Sequence, residues 1–133
     1  MTAKQELGPR QEKYLQMLES GDYQQVQMYL CKIEEGVRKY CCLGIACLLH
    51  GAKEEQCVDA GSNFISFDGE KDYLPTEVQK YLRFRGHDGG EFAWNGYFLD
   101  QSLIDLNDSR HLTFKEIAAV IREDPSRVFL EPA

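Results

Sequence analysis

The chain of 133 residues is the size of one domain, and a composition of 43% hydrophobic and 28% charged residues is that of an ordinary globular protein rather than a disordered or fibrous one. A formal charge of −7 argues against nonspecific nucleic-acid binding, which needs Lys and Arg to displace condensed counterions, and suits either a basic partner surface or plain solubility. No apolar run approaches the roughly 20 residues of a membrane span, the opening MTAKQELGPRQEKY has no apolar signal core, and five irregularly spaced cysteines suit a reducing compartment, so a cytoplasmic protein is expected.

Residues 1–8 read as a flexible tail on a single globular domain spanning 1–133. Pro9 to Ser20 reads as a first helix, with Tyr14, Leu15, Met17 and Leu18 on one side and Gly21 closing it. Asp22 to Val26 is a polar connector, either a turn or the start of an extended segment. Met28 to Ile33 and Val37 to Cys41 suggest a hairpin around a three-residue loop, Glu34-Glu35-Gly36. Leu43 to His50 is apolar almost without interruption and is followed by Gly51, which reads as a short helix buried on most sides. Gln56 to Phe67 resembles a weaker hairpin around Gly61-Ser62-Asn63.

Leu74 to Leu82 is a clearer helix, with Pro75 in its first turn and Gly86 as its stop. Arg85 to Gly96, with four glycines around His87 and Trp94, is the best candidate for a mobile binding loop. Leu99 to Leu106 suits a helical turn or two, ending in Asn107-Asp108-Ser109. Thr113 and Glu116 form a capping box for a last helix, in which Phe114, Ile117, Ala118 and Ile121 recur at helical spacing. Val128 to Leu130 reads as a short edge strand or a docked tail. Together these predict an α+β fold: a single small domain with one or two β-hairpins packed against about four short helices.

Cys41 and Cys42 fall at the start of a predicted helix, where unpaired N–H groups favour a thiolate. A nucleophile there needs a histidine, from His50, His87 or His111, and an orienting group such as Asn107 or Asp108. The competing reading treats Cys41, Cys42 and Cys47 as small hydrophobes in a tight contact, and the burial preference of free cysteine favours it. No metal site is expected, because the cysteine cluster lacks a second knuckle. Asp68, Glu70 and Asp72 look like a calcium loop, but the position that should hold a bidentate Glu is Gln79. No cofactor is expected either. Aromatic and basic residues concentrate between Tyr81 and Phe98, where rings and arginine forks can clamp a base and a phosphate. Arg85, His87 and Trp94, joined by Asn107 and Asp108, are therefore the expected ligand-binding residues.

Three segments, YCCLGIAC, LPTEVQKYL and LIDLNDSRHLTFKEIAAVI, together resemble the consecutive signatures of a family of small phage and prophage proteins, and SGDYQQ is similar to the stretch that leads into that family's hairpin. The resemblance covers roughly residues 18 to 122; Tyr81 stands where the family often has Trp, and residues 51–73 have no counterpart. It implies a phage origin and a bacterial host cytosol. By analogy it implies a non-enzymatic antagonist of a host defence system, acting by sequestering a small nucleotide-type ligand. Two alternatives are an acidic inhibitor of a basic effector surface and a cysteine-dependent hydrolase or transferase. The expected partners are thus a nucleotide-type ligand or a host defence protein, with no membrane and no nonspecific nucleic acid, and homo-oligomerisation is compatible with this reading.

Overall fold

In a computed structural model of the protein, residues 4–93 and 101–133 are described. The fold is α+β, as expected. A five-stranded mixed sheet, in the order β1-β3-β2-β5-β4, combines with a set of short helices. The strands are β1 (Gln24–Gln25), β2 (Cys31–Glu34), β3 (Val37–Tyr40), β4 (Glu54–Asp59) and β5 (Ser62–Phe67). The α-helices are α1 (Pro9–Glu19), α2 (Cys42–His50), α3 (Thr76–Leu82), α4 (Leu103–Asp108) and α5 (Phe114–Glu123).

Both hairpins form, with tighter turns than the sequence suggested. Val37 pairs with Glu34, so the first loop is Glu35-Gly36 alone, with φ of 52° and 78°. The second is Ala60-Gly61, with φ of 49° and 82°. Two-residue turns with positive φ at both positions match the natural strand twist, which is why they displace the three-residue loops expected. The polar connector resolves into β1, which pairs in parallel with Lys39 and Tyr40.

Helix α2 is the hub. It packs against α1, α3 and α4, and Cys42 through Cys47 are all buried, so no polar face is required of it. Cys41 caps it by accepting the Gly44 N–H on its sulfur at 3.4 Å, and Gly51 closes it in the left-handed conformation with φ of 78°. Gly44 lies against the Leu30 backbone so closely that any Cβ there would collide with the Leu30 carbonyl. From α1, the Tyr14 hydroxyl donates to the Cys42 carbonyl at 2.7 Å inside the core. The sheet contributes Cys31, Tyr40, Ile65 and Phe67 to the same core.

Two expectations are corrected. Residues 5–8 are not a free tail: Gln5 Nε2 donates to the Phe129 carbonyl at 3.2 Å, Leu7 packs on the core, and Gly8 is buried against the backbone of Ala133. The described part of the glycine-rich segment is likewise stitched down. Gly89 and Gly90 are buried at φ of 86° and 103°, and a Cβ on Gly89 would meet Leu103 Cβ at 2.7 Å. Here glycine serves close approach and left-handed backbone rather than mobility. Helix α3 also stops before Gly86, because Arg83 itself takes the left-handed capping conformation with φ of 62°. The chain's last segment docks through Phe129, whose ring lies 5.1 Å from Phe84.

Candidate functional site

Four segments that are distant in sequence converge behind the start of α2. Asn107, wholly buried in the last turn of α4, accepts on Oδ1 from Gln25 Nε2 at 2.8 Å and from the Cys42 N–H at 3.3 Å. Its Nδ2 donates to the Val26 carbonyl and to Asp108 Oδ1, both at 2.9 Å. Gln25 in turn donates to the Leu112 carbonyl at 2.7 Å and accepts the Phe114 N–H at 3.1 Å. All four of Asn107's hydrogen-bonding positions are thus used, and the node ties β1, α2, α4 and α5 together.

In front of this node lies a cleft of about 200 Å³, lined by Met28, Tyr29, Cys41, Asp72, Tyr73, Ile104 and Asp108. Its contributors have local reasons for being there. The segment leading into β2 is held by the Leu30 N–H donating to the Lys71 carbonyl at 2.7 Å, which brings Tyr29 beside Asp72 and Tyr73. Met28 holds a left-handed φ of 75° and is 67% exposed, a conformation that costs a non-glycine residue energy and tends to accompany functional sites. Asp108 is aimed by its bond from Asn107. Neither lysine, arginine nor histidine lines the cleft among the described residues.

Cys41 is also part of this lining, yet only 5% exposed. Burial pushes its thiol up to about 12, and the Asp108 carboxylate adds to the effect, although the Gly44 and Leu43 N–H groups pull the other way. Burial likewise raises Cys42 well above the ordinary thiol value, and Cys42 Sγ makes a long contact of 3.6 Å to the Leu103 carbonyl. His50 sits at the far end of α2, about 13 Å along the helix axis from Cys41, with its ring 4.8 Å from that of Tyr81. His111 is exposed at a positive φ of 55°.

The five residues expected to bind ligand separate. Asp108 lines the cleft, and Asn107 stands behind it as its support. His87 is exposed, with its ring edge-on to Tyr73 at 4.5 Å, which places it against one wall of the cleft. Arg85 is engaged elsewhere: its Nε donates to the Ser126 carbonyl at 2.6 Å and its backbone N–H to the Val128 carbonyl at 2.8 Å. Trp94 lies outside the described residues. Sequence reasoning passed over Tyr29, Asp72 and Tyr73. Asp72 reads from the sequence only as part of a calcium-like loop, and Tyr29 and Tyr73 carry no pattern that marks a site.

A larger hollow of about 500 Å³ lies between α1 and the C-terminal end of α2, lined by Lys13, Met17, Tyr23 and Leu49 among others. It is shallow, and none of the ligand-binding residues expected from the sequence contributes to it. The smaller cleft is the better site because its polar groups converge and one of them is held by a buried network.

Against known families, residues 5–125 match the model of a domain of unknown function, DUF8296. The chain belongs to the DUF8296 family. The match spans the β1, α2, α4 and α5 segments that meet at Asn107, so the node and the cleft both fall inside the family domain. No curated protein and no solved structure matches the chain.

Proposed function

We propose that this protein is a non-enzymatic binding protein that takes a small ligand into the cleft between Tyr29, Asp72, Tyr73 and Asp108. The observation that carries the reading is the convergence of two carboxylates and two tyrosines on one hollow beside a fully bonded buried node. A nucleotide-type ligand fits it base first. The rings offer stacking surface, the carboxylates accept N–H or ribose hydroxyl groups, and the phosphates stay outside because no cation lines the interior among the described residues. The protonated Cys41 thiol supports binding over nucleophilic chemistry, since the thiolate is the reactive form. The resemblance to small phage and prophage proteins supports a setting in the bacterial cytosol, with the ligand being a signal of a defence system that the protein withdraws. A thermal-shift screen of mononucleotides, cyclic nucleotides and ADP-ribose derivatives tests this. Ligand at about 100 times its dissociation constant adds about 2.7 kcal/mol, a shift of several degrees. No shift with any of them at millimolar concentration contradicts the reading.

A second reading, an acidic inhibitor of a basic effector surface, draws on β4. It is one of the sheet's two edge strands, with Glu54, Glu55, Val58 and Asp59 exposed. An open acidic edge suits a basic extended segment and disfavours pairing with a second copy of itself. Binding of this kind weakens steeply with added salt, so salt-insensitive binding argues against it.

A further inference from the structure

We propose that the cleft recognises a planar fork of adjacent N–H donors, the group that a guanidinium and the Watson–Crick edge of guanine have in common, with Asp72 and Asp108 as its acceptors. The proposal rests on the ligand-binding reading above and narrows the ligand by its donor pattern.

An ionised carboxylate only accepts. Asp72 makes no hydrogen bond and no ion pair with any described residue, and Asp108 receives only the bond from Asn107 on Oδ1, which leaves Oδ2 free. No described side chain of the lining carries an N–H group, the tyrosine hydroxyls being its O–H donors, so an N–H fork comes from the ligand. Carboxylates that are half-buried in one lining lose part of their hydration, so a ligand supplying several N–H groups gains most from this cleft.

Ligands that carry such groups differ in how their donors are arranged. Adenine sets its amino group beside one acceptor, cytosine sets its amino group beside two, and uracil sets its single N–H between two carbonyls. Each would turn a lone pair toward a carboxylate. Guanine presents N1–H and the N2 amino group side by side, as a guanidinium does, and this edge matches a carboxylate in the same bidentate way. The Tyr29 and Tyr73 rings favour a flat group that can lie against them over a tetrahedral ammonium.

Cys41 lines the cleft, and the only hydrogen bond its sulfur makes among the described residues is the one it accepts from Gly44. Its S–H is therefore a donor without an acceptor, available to an oxygen that flanks the fork, as O6 does in guanine. The volume of about 200 Å³ is below the roughly 300 Å³ at which sites for whole drug-sized ligands begin. One ring system or one side-chain head group enters, and the remainder of the molecule stays outside.

Calorimetric titration of the full chain with guanosine monophosphate, agmatine and adenosine monophosphate, repeated on Asp72→Asn, tests the proposal. The expected result is that guanosine monophosphate, agmatine or both bind about tenfold or more tightly than adenosine monophosphate, the discrimination of one good bidentate pair. That advantage is lost in Asp72→Asn, while a thermal melt shows the variant folded, as expected for a side chain with no described partner. Agmatine alone assigns the fork to a guanidinium, as on an arginine of a partner, and the guanine nucleotide alone assigns it to a base. Equal binding of the adenine and guanine nucleotides overturns the fork but leaves the ligand-binding reading standing. Failure of all three probes overturns the fork, and the wider thermal-shift screen then decides the reading itself.

Discussion

Asn107 caps the start of α2 across 65 residues of sequence, accepting the Cys42 N–H on its Oδ1 at 3.3 Å. The same oxygen takes Gln25, and the same amide aims Asp108 at the cleft, so one buried side chain couples the packing of the hub helix to the geometry of the candidate site.

Replacing that side chain tests the coupling. Asn107→Ala leaves the Cys42 N–H and the Val26 carbonyl without their partner inside the core, and the expected loss is about 3 kcal/mol at neutral pH. Asn107→Asp keeps the acceptor side but removes the donor to Val26 and places a second carboxylate beside Asp108, so it is destabilised as well. Urea unfolding of the two variants measures both. A loss below about 0.5 kcal/mol for Asn107→Ala contradicts the role given to the node.

The cysteines make a separate prediction. Cys31, Cys41, Cys42 and Cys47 are buried, and burial raises each thiol, Cys31 to about 11 and Cys41 to about 12. Only Cys57, on β4, is partly exposed. Iodoacetamide at pH 8 should therefore place one adduct on the native protein, at Cys57, and five on the unfolded chain, as read by intact mass and peptide mapping. Rapid native labelling of Cys41 or Cys42 contradicts the packing account and revives a reactive thiol.

Helices α1 and α5 are joined by Arg122, whose guanidinium bonds Glu12 and Glu19 at four distances between 2.7 and 3.0 Å. The Arg122 hydrogen bonds lower both carboxyls below the ordinary 4.5. A depressed carboxyl contributes stability above its unfolded pKa and loses it as pH falls through the folded one. The groups remain about a third exposed, so solvent screening holds the contribution to about 1 kcal/mol. Arg122→Ala should lower Tm by a few degrees at pH 7, and that difference should shrink as pH falls below 4.5. A difference that is the same at pH 7 and pH 3 contradicts the clamp.

Much of the fold was legible because local signals agreed with the tertiary outcome. The Thr113 and Glu116 capping box, the apolar run after Cys42 and both hairpins each carry their own periodicity or turn chemistry. The site was less legible, since its residues acquire their meaning only through contacts distant in sequence. Asn107 reads as a helix-ending polar residue, yet it sits inside α4 because its amide has partners 81 and 82 positions away. Gly89 and Gly90 read as mobility, whereas their lack of a Cβ lets the chain lie against Leu103 and Arg127. Asp72 carries no signal of its own, because a polar stretch between a hairpin and a helix looks the same whether it meets solvent or a cleft.

The most direct test of the central claim, that the cleft is the binding site, is a two-dimensional amide NMR titration of the ¹⁵N-labelled full chain with guanosine monophosphate. The account predicts concentration-dependent shifts at Tyr29, Cys41, Asp72, Tyr73 and Asp108, the residues that line one hollow from four separate segments, and their disappearance in Asp72→Asn. Shifts confined instead to the hollow around Lys13, Met17 and Leu49 would contradict it.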